Sequence, residues 1–260
     1  MNGWFFGCSF TAGYGLNFEE WYQKGNTNFK GDYDDIKDVI WSYDYLKTFD
    51  SYKFNYNDLI WSKLFCKDYG LNHNNFAESG AGNERILHTV ISNLPNIKKG
   101  DYVFLGASEP CRILLPSGLN EPELVSTLIF LNSVDKKIKE GGLSFNFFNE
   151  SDKTLIIGFL HDIVHQHPES YDQYYMKVFL DLQKFFQSID VTCVVWDWRL
   201  WFDFETIRKW SSGKINDGHW SPNGHEEFFK LLKQNINNNN FIIKSKNKHL
   251  ISPFKKKTII

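Results

Sequence analysis

Short apolar runs alternating with longer helical patterns constrain this chain more than any other feature. Trp4–Gly7, Tyr102–Leu105, Leu155–Leu160 and Thr192–Trp196 are apolar runs of strand length, and Asn74–Ser79 is a further short strand candidate. Helical patterns lie between them. Asn57–Tyr69 carries Leu59, Ile60, Leu64 and Phe65 near helical spacing, and Gly82–Leu94 puts Ile86, Leu87, Val90 and Ile91 on one face. Glu121–Lys137, Tyr171–Phe186 and Pro222–Ile236 complete the set, the last with its proline in the first turn, where the missing N–H is no loss. Strands separated by helices of this length need βαβ crossovers, so the spacing predicts an α/β fold with a parallel sheet and helices on both faces. Ligands of such sheets bind outside the carboxyl ends of the strands. The residues that follow the strands are Cys8-Ser9, Ser79-Gly80, Gly106–Arg112, His161-Asp162 and Asp197-Trp198.

The 260 residues suit one large domain, read here as 1–240, with Asn17–Ser51 as an irregular, aromatic-rich insertion. The Asn-rich stretch Asn235–Asn240 marks the expected end of the compact unit, and Phe241–Ile260 is a basic C-terminal tail. That tail reads as a solvated surface segment or as a contact for an anionic partner. The formal net charge of −2 argues against a protein that coats nucleic acid, so no sequence-specific nucleic-acid partner is expected. Cys8, Cys66, Cys111 and Cys193 lie too far apart for a thiolate zinc site and are too few for a disulfide framework. No apolar run approaches the ~20 residues of a membrane span, and the N-terminus lacks the basic start of a signal peptide. The expected location is cytoplasmic or virion-associated, with the mature chain starting near Met1. The oligomeric state is not legible. The odd feature is the aromatic content, 24 Phe, 12 Tyr and 9 Trp, which fits either AT-rich coding or aromatic-lined binding surfaces.

Two segments carry chemistry. Ser9 sits at a strand-to-turn junction in Gly7-Cys8-Ser9-Phe10-Thr11-Ala12-Gly13, where its hydroxyl meets the carboxyl edge of the sheet and its N–H can face an oxyanion. A helix-capping serine in a glycine-rich turn is the plainer alternative. At the other end of the chain, Asp217, His219, Gly224 and His225 lie in one loop entering a helix. A neutral hydroxyl needs a general base oriented by an acid, and Asp217 with His219 supplies both types. His225 reads as a helix-surface or packing histidine.

These blocks resemble those of the SGNH (GDSL-type) hydrolases, including members from bacteriophages. The family's Gly-Asp-Ser-x-Thr-x-Gly is similar to Gly7–Gly13, its Asn-x-x-x-Ser-Gly to Asn75–Gly80, and its closing Asp, His and Gly-His to Asp217, His219, Gly224 and His225. The resemblance implies a flavodoxin-like three-layer α/β/α sandwich. It also implies Ser9 as nucleophile, His219 as general base, Asp217 as orienting acid, and the N–H groups of Ser9 and Gly80 as oxyanion donors. Cys8 stands where the family has Asp, and Asp217 is two residues before His219 rather than three. The family's third block, Gly-x-Asn-Asp, is replaced by Gly106-Ala107-Ser108-Glu109-Pro110-Cys111-Arg112. Asn83 or Arg112 is then a candidate third donor, and for Arg112 a simple pairing with Glu109 is the alternative.

The remaining site candidates are substrate contacts: Arg112, His161, Trp198 and Trp220. His161 and His165 have the i, i+4 spacing of metal ligands, but no further ligand set accompanies them, so no metal and no cofactor are expected. The expected function is a serine esterase acting on a small-molecule or glycan ester, with a short acyl (acetyl) group on a carbohydrate favoured. The sugar would stack on Trp21, Tyr22, Trp41, Tyr43, Tyr45 or Trp61. A non-catalytic module of a phage particle on the same scaffold, and an acyltransferase using the same serine, are the alternatives.

Overall fold

The computed structural model describes residues 1–13, 16, 56–78, 81–108, 168–205 and 219–245. The whole of the expected insertion 17–51, the helix expected at 121–137 and the strand expected at 155–160 lie outside the described residues. The described elements are β1 (Asn2–Phe6), α1 (Ser9–Ala12), α2 (Trp61–Tyr69), β2 (Asn72–Asn75), α3 (Asn83–Asn93), β3 (Tyr102–Gly106), α4 (Pro168–Ser188), β4 (Thr192–Trp196), α5 (Pro222–Asn237) and β5 (Ile242–Ile243). The five strands form one sheet in the order β2-β1-β3-β4-β5, and every pairing is parallel. This is the doubly wound, flavodoxin-like order, with the strand direction of travel reversing between β1 and β3.

Strand residues alternate between the two faces, and each face has its own apolar layer. Phe5, Phe104, Val194 and Trp196 pack with Trp61 and Phe65 of α2 and with Phe228 and Leu232 of α5. Trp4, Phe6, Val103, Leu105, Cys193 and Val195 pack with Ile86 and Val90 of α3 and with Phe179 and Phe186 of α4. Helices therefore cover both sides, and the central strands β1, β3 and β4 are buried through most of their length. The aromatics supply much of the first layer. Phe5 and Phe104 stack at 4.7 Å between adjacent strands, and Trp61 meets both edge-on. Trp61 is fully buried, which removes it from the expected sugar platforms. Gly106 ends β3 because the Trp196 indole occupies its side-chain space: a Cβ there would lie 2.4 Å from the ring.

Two expectations about boundaries change. The second strand is Asn72–Asn75 rather than 74–79; it is a polar, half-exposed edge strand without an alternating signal. The compact unit also continues past residue 240. Ile242 and Ile243 pair in parallel with Val195 and Trp196, and Gln183 of α4 donates to the carbonyls of both Cys193 and Phe241. The tail assignment from 241 is corrected accordingly. Among the described residues no helix is long and apolar enough to cross a membrane. Cys8, Cys66 and Cys193 are free and buried, and desolvation pushes the Cys66 thiol up to about 12.

At the amino-terminal edge of the sheet, the Asp101 carboxylate accepts hydrogen bonds from the backbone N–H of Asn2 (2.8 Å) and Lys98 (3.1 Å), the Trp4 indole N–H (2.9 Å) and the Asn2 amide. Burial raises its pKa, but these donors outweigh burial and hold it below the ordinary value. Asp101→Ala leaves buried donors unpaired and is expected to cost about 2–4 kcal/mol of unfolding free energy at neutral pH. A depressed carboxylate stabilises above its unfolded pKa and loses that contribution as pH falls through the folded value. Urea unfolding across pH should show the gap between wild type and variant closing in acid. A gap independent of pH contradicts this role.

Candidate active site

β1 delivers Ser9 to the carboxyl edge of the sheet. Cys8 is extended and caps α1 through its carbonyl, which accepts the N–H groups of Thr11 and Ala12 at 3.0 Å. Ser9 is the first residue of the helix and 3% exposed. Thr11, in the same turn, packs onto Gly7, where an added Cβ would fall 2.2 Å from Thr11 Oγ1. The Gly-x-Ser-x-Thr spacing thus has a steric cause: only glycine lets this short turn fold back on the strand end. Gly13 closes α1 in the left-handed conformation (φ +74°) and donates to Ser9 O at 2.9 Å.

The last block meets the first through Phe10. Its ring stacks on Trp201 at 4.4 Å, lies 5.1 Å from the His219 imidazole and meets Trp220 edge-on at 5.2 Å. Phe10, the residue after Ser9, and His219, from opposite ends of the chain, therefore share one aromatic patch. Beyond His219, Ser221 caps α5 by accepting the Gly224 N–H at 3.1 Å, with Pro222 in the first turn. Gly224 lets the helix start pass the segment after β4; a Cβ there would lie 2.2 Å from Glu205 O. His225 is buried against Trp220, so of its two expected roles packing is the one seen. Burial, and secondarily the neighbouring His219, push its pKa down to about 3.

The second block is tied to the first by hydrogen bonds. Asn75 donates to Thr11 O at 3.1 Å and accepts the Ala77 N–H, and Glu78 N–H donates to Gly7 O. Glu78 also binds Arg85 through two side-chain bonds of 2.9 and 3.0 Å, while its carbonyl accepts the Ala81 N–H. Gly80, between these anchored residues, lies outside the described residues, as do Asp217, Arg112 and His161.

Three expectations change. Trp198 and Trp220 are 2% and 0% exposed, so both belong to the core rather than to a substrate-facing wall. Their indole N–H groups are used internally, by Asp172 Oδ1 (3.2 Å) and Trp201 O (3.1 Å). Asn83, expected as an alternative oxyanion donor, is a buried clamp: its Nδ2 donates to Ser108 O (2.9 Å) and its Oδ1 accepts the Ser108 N–H (2.7 Å). Ser108 follows a buried strand and stands where the family's Gly-x-Asn-Asp has its Asn, but the sequence gives it no role of its own. Asp197, also at a strand end, caps the turn Trp198–Phe202 and pairs with Arg199, which binds Asp172 as well. Desolvation raises the Asp172 pKa despite that partner.

Among the described residues no group of three His, Cys, Asp or Glu side chains is placed to hold a metal ion. Comparison with protein-family models gives no match, and searches of curated proteins and of solved structures give none either.

His225 generates a pH prediction. Its folded pKa of about 3 lies below the unfolded histidine value, so the unfolded state takes up the proton first as pH falls below about 6.5. Stability is then fully present above that value and is lost on acidification. Between pH 7 and pH 5 the wild type should lose about 2 kcal/mol more than His225→Asn in urea unfolding. Equal losses contradict the buried neutral state.

Proposed function

We propose that this chain is a serine esterase, with Ser9 as nucleophile and His219 as general base. The observation that carries the reading is the single aromatic patch in which Phe10, directly after Ser9, lies against the His219 ring. A base must stand within reach of the proton it removes, and this packing keeps the helix of Ser9 beside His219. In the proposed reaction His219 accepts the Ser9 proton as Oγ bonds to the ester carbonyl carbon. The carbonyl electron pair moves to oxygen, and the N–H groups of Ser9 and Gly80 receive the oxyanion. Collapse of that intermediate restores the carbonyl and expels the alcohol, which takes the proton from His219. Water repeats the sequence on the acyl-enzyme and frees the acid. Asp217 orients His219 in this scheme.

A short acyl group suits a serine that is only 3% exposed in an aromatic setting. The alcohol half is proposed as a carbohydrate, for which the aromatics Trp21, Tyr22, Trp41, Tyr43 and Tyr45 remain candidate stacking partners.

Hydrolysis of a chromogenic acetyl ester tests the reading. Ser9→Ala and His219→Ala should each lower kcat/KM by about 10³-fold or more while leaving the circular dichroism spectrum unchanged. Turnover indifferent to both substitutions, or a folded wild type without turnover on short-chain esters, rejects it.

A further inference from the structure

We propose that the Ser108 hydroxyl is a third oxyanion donor in this site; the inference rests on the serine-esterase reading and names a residue which that reading does not contain. Ser108 is fully buried, and its Oγ has no hydrogen-bond partner among the described residues. A buried hydroxyl without a partner is costly and asks for an explanation. Thr11 Oγ1 is in the same condition, but it is pressed against the Gly7 backbone inside the turn.

Ser108 differs in place and in rigidity. β1 and β3 pair in register, with Phe6 opposite Leu105, and Ser9 and Ser108 each stand three residues beyond that pair. They leave the sheet from adjacent strands at the point where the strand order reverses, which is where a crevice opens in folds of this kind. The backbone of Ser108 is held at both its N–H and its carbonyl by the Asn83 amide, and the preceding Ala107 N–H donates to Trp196 O at 2.9 Å. A donor fixed before the reaction needs no reorganisation when charge develops, which is the property an oxyanion donor requires. Ser9 is likewise buried, at 3% exposed. When Ser9 Oγ bonds to the carbonyl carbon, the Ser108 O–H donates to the oxygen that gains the electron pair. It keeps its proton throughout, and the bond weakens again when the carbonyl re-forms.

The test is steady-state hydrolysis of a chromogenic acetyl ester by the full chain carrying Ser108→Ala, Ser108→Thr or Ser108→Val. Ser108→Ala should lose about 10²-fold in kcat with KM little changed. Thr and Val have the same shape and differ in the hydroxyl, so their ratio isolates the donor even where the added methyl group disturbs packing. Ser108→Thr should exceed Ser108→Val by more than tenfold in kcat. If the wild type is active but Ser108→Ala matches it, or Thr and Val are equally impaired, the inference falls while the serine-esterase reading stands. A wild type without turnover overturns both.

Discussion

The pairing of β1 with β3 is the constraint on which the candidate site depends. It sets Phe5 on Phe104 at 4.7 Å and places two strands with unlike exits side by side. β1 leaves through Gly7 into the short helix that begins with Ser9, whereas β3 leaves through Gly106 toward Ser108. Each exit is shaped by a glycine whose missing side chain is filled by a neighbour, Thr11 at Gly7 and Trp196 at Gly106. A parallel sheet gathers all its carboxyl ends at one edge, so the pairing brings residues far apart in sequence to one place without any direct link between them.

Aromatic packing extends this arrangement to the other end of the chain. Trp201 lies in the turn after β4, stacks on Phe10 and accepts the Trp220 indole N–H through its carbonyl. Trp220 in turn packs on Phe228 and Trp196. The loop carrying His219 is therefore anchored to the same layer that covers the sheet. On the far side of that turn, Arg199 sits between Asp172 and Asp197. Such a buried pair adds little net stability but fixes geometry, because separating the charges would leave them uncompensated. Among the described residues Trp61, Trp196, Trp198 and Trp220 serve the interior, all of them within the core.

Much of the fold was legible in the sequence because period and position agreed. Thr192–Trp196 and Tyr102–Leu105 are continuous apolar runs, as strands covered on both faces must be, and Pro222 marked the start of α5. The missed pieces are those whose environment comes from elsewhere in the chain. β5 has only two apolar residues in a basic, Asn-rich setting, and its place comes from β4 and Gln183 rather than from its own pattern. β2 is all polar, since an edge strand has one side to satisfy and much of it wet. At the candidate site the turns around Gly7–Gly13 and Ser221–Gly224 were legible because their spacing is local. The uses of Asn83, Trp198 and Trp220 were not, because their partners Ser108, Asp172 and Trp201 are distant in sequence.

Ser9 is proposed to be chemically activated by its place at the end of β1 and by His219. Fluorophosphonate labelling followed by peptide mapping tests this most directly, because it reports an activated serine without knowledge of the substrate. Covalent modification is expected at Ser9 in the wild type, none at that position in Ser9→Ala, and markedly slower labelling in His219→Ala. Failure of the folded wild type to label at Ser9, or labelling at Ser9 at an unchanged rate in His219→Ala, contradicts it.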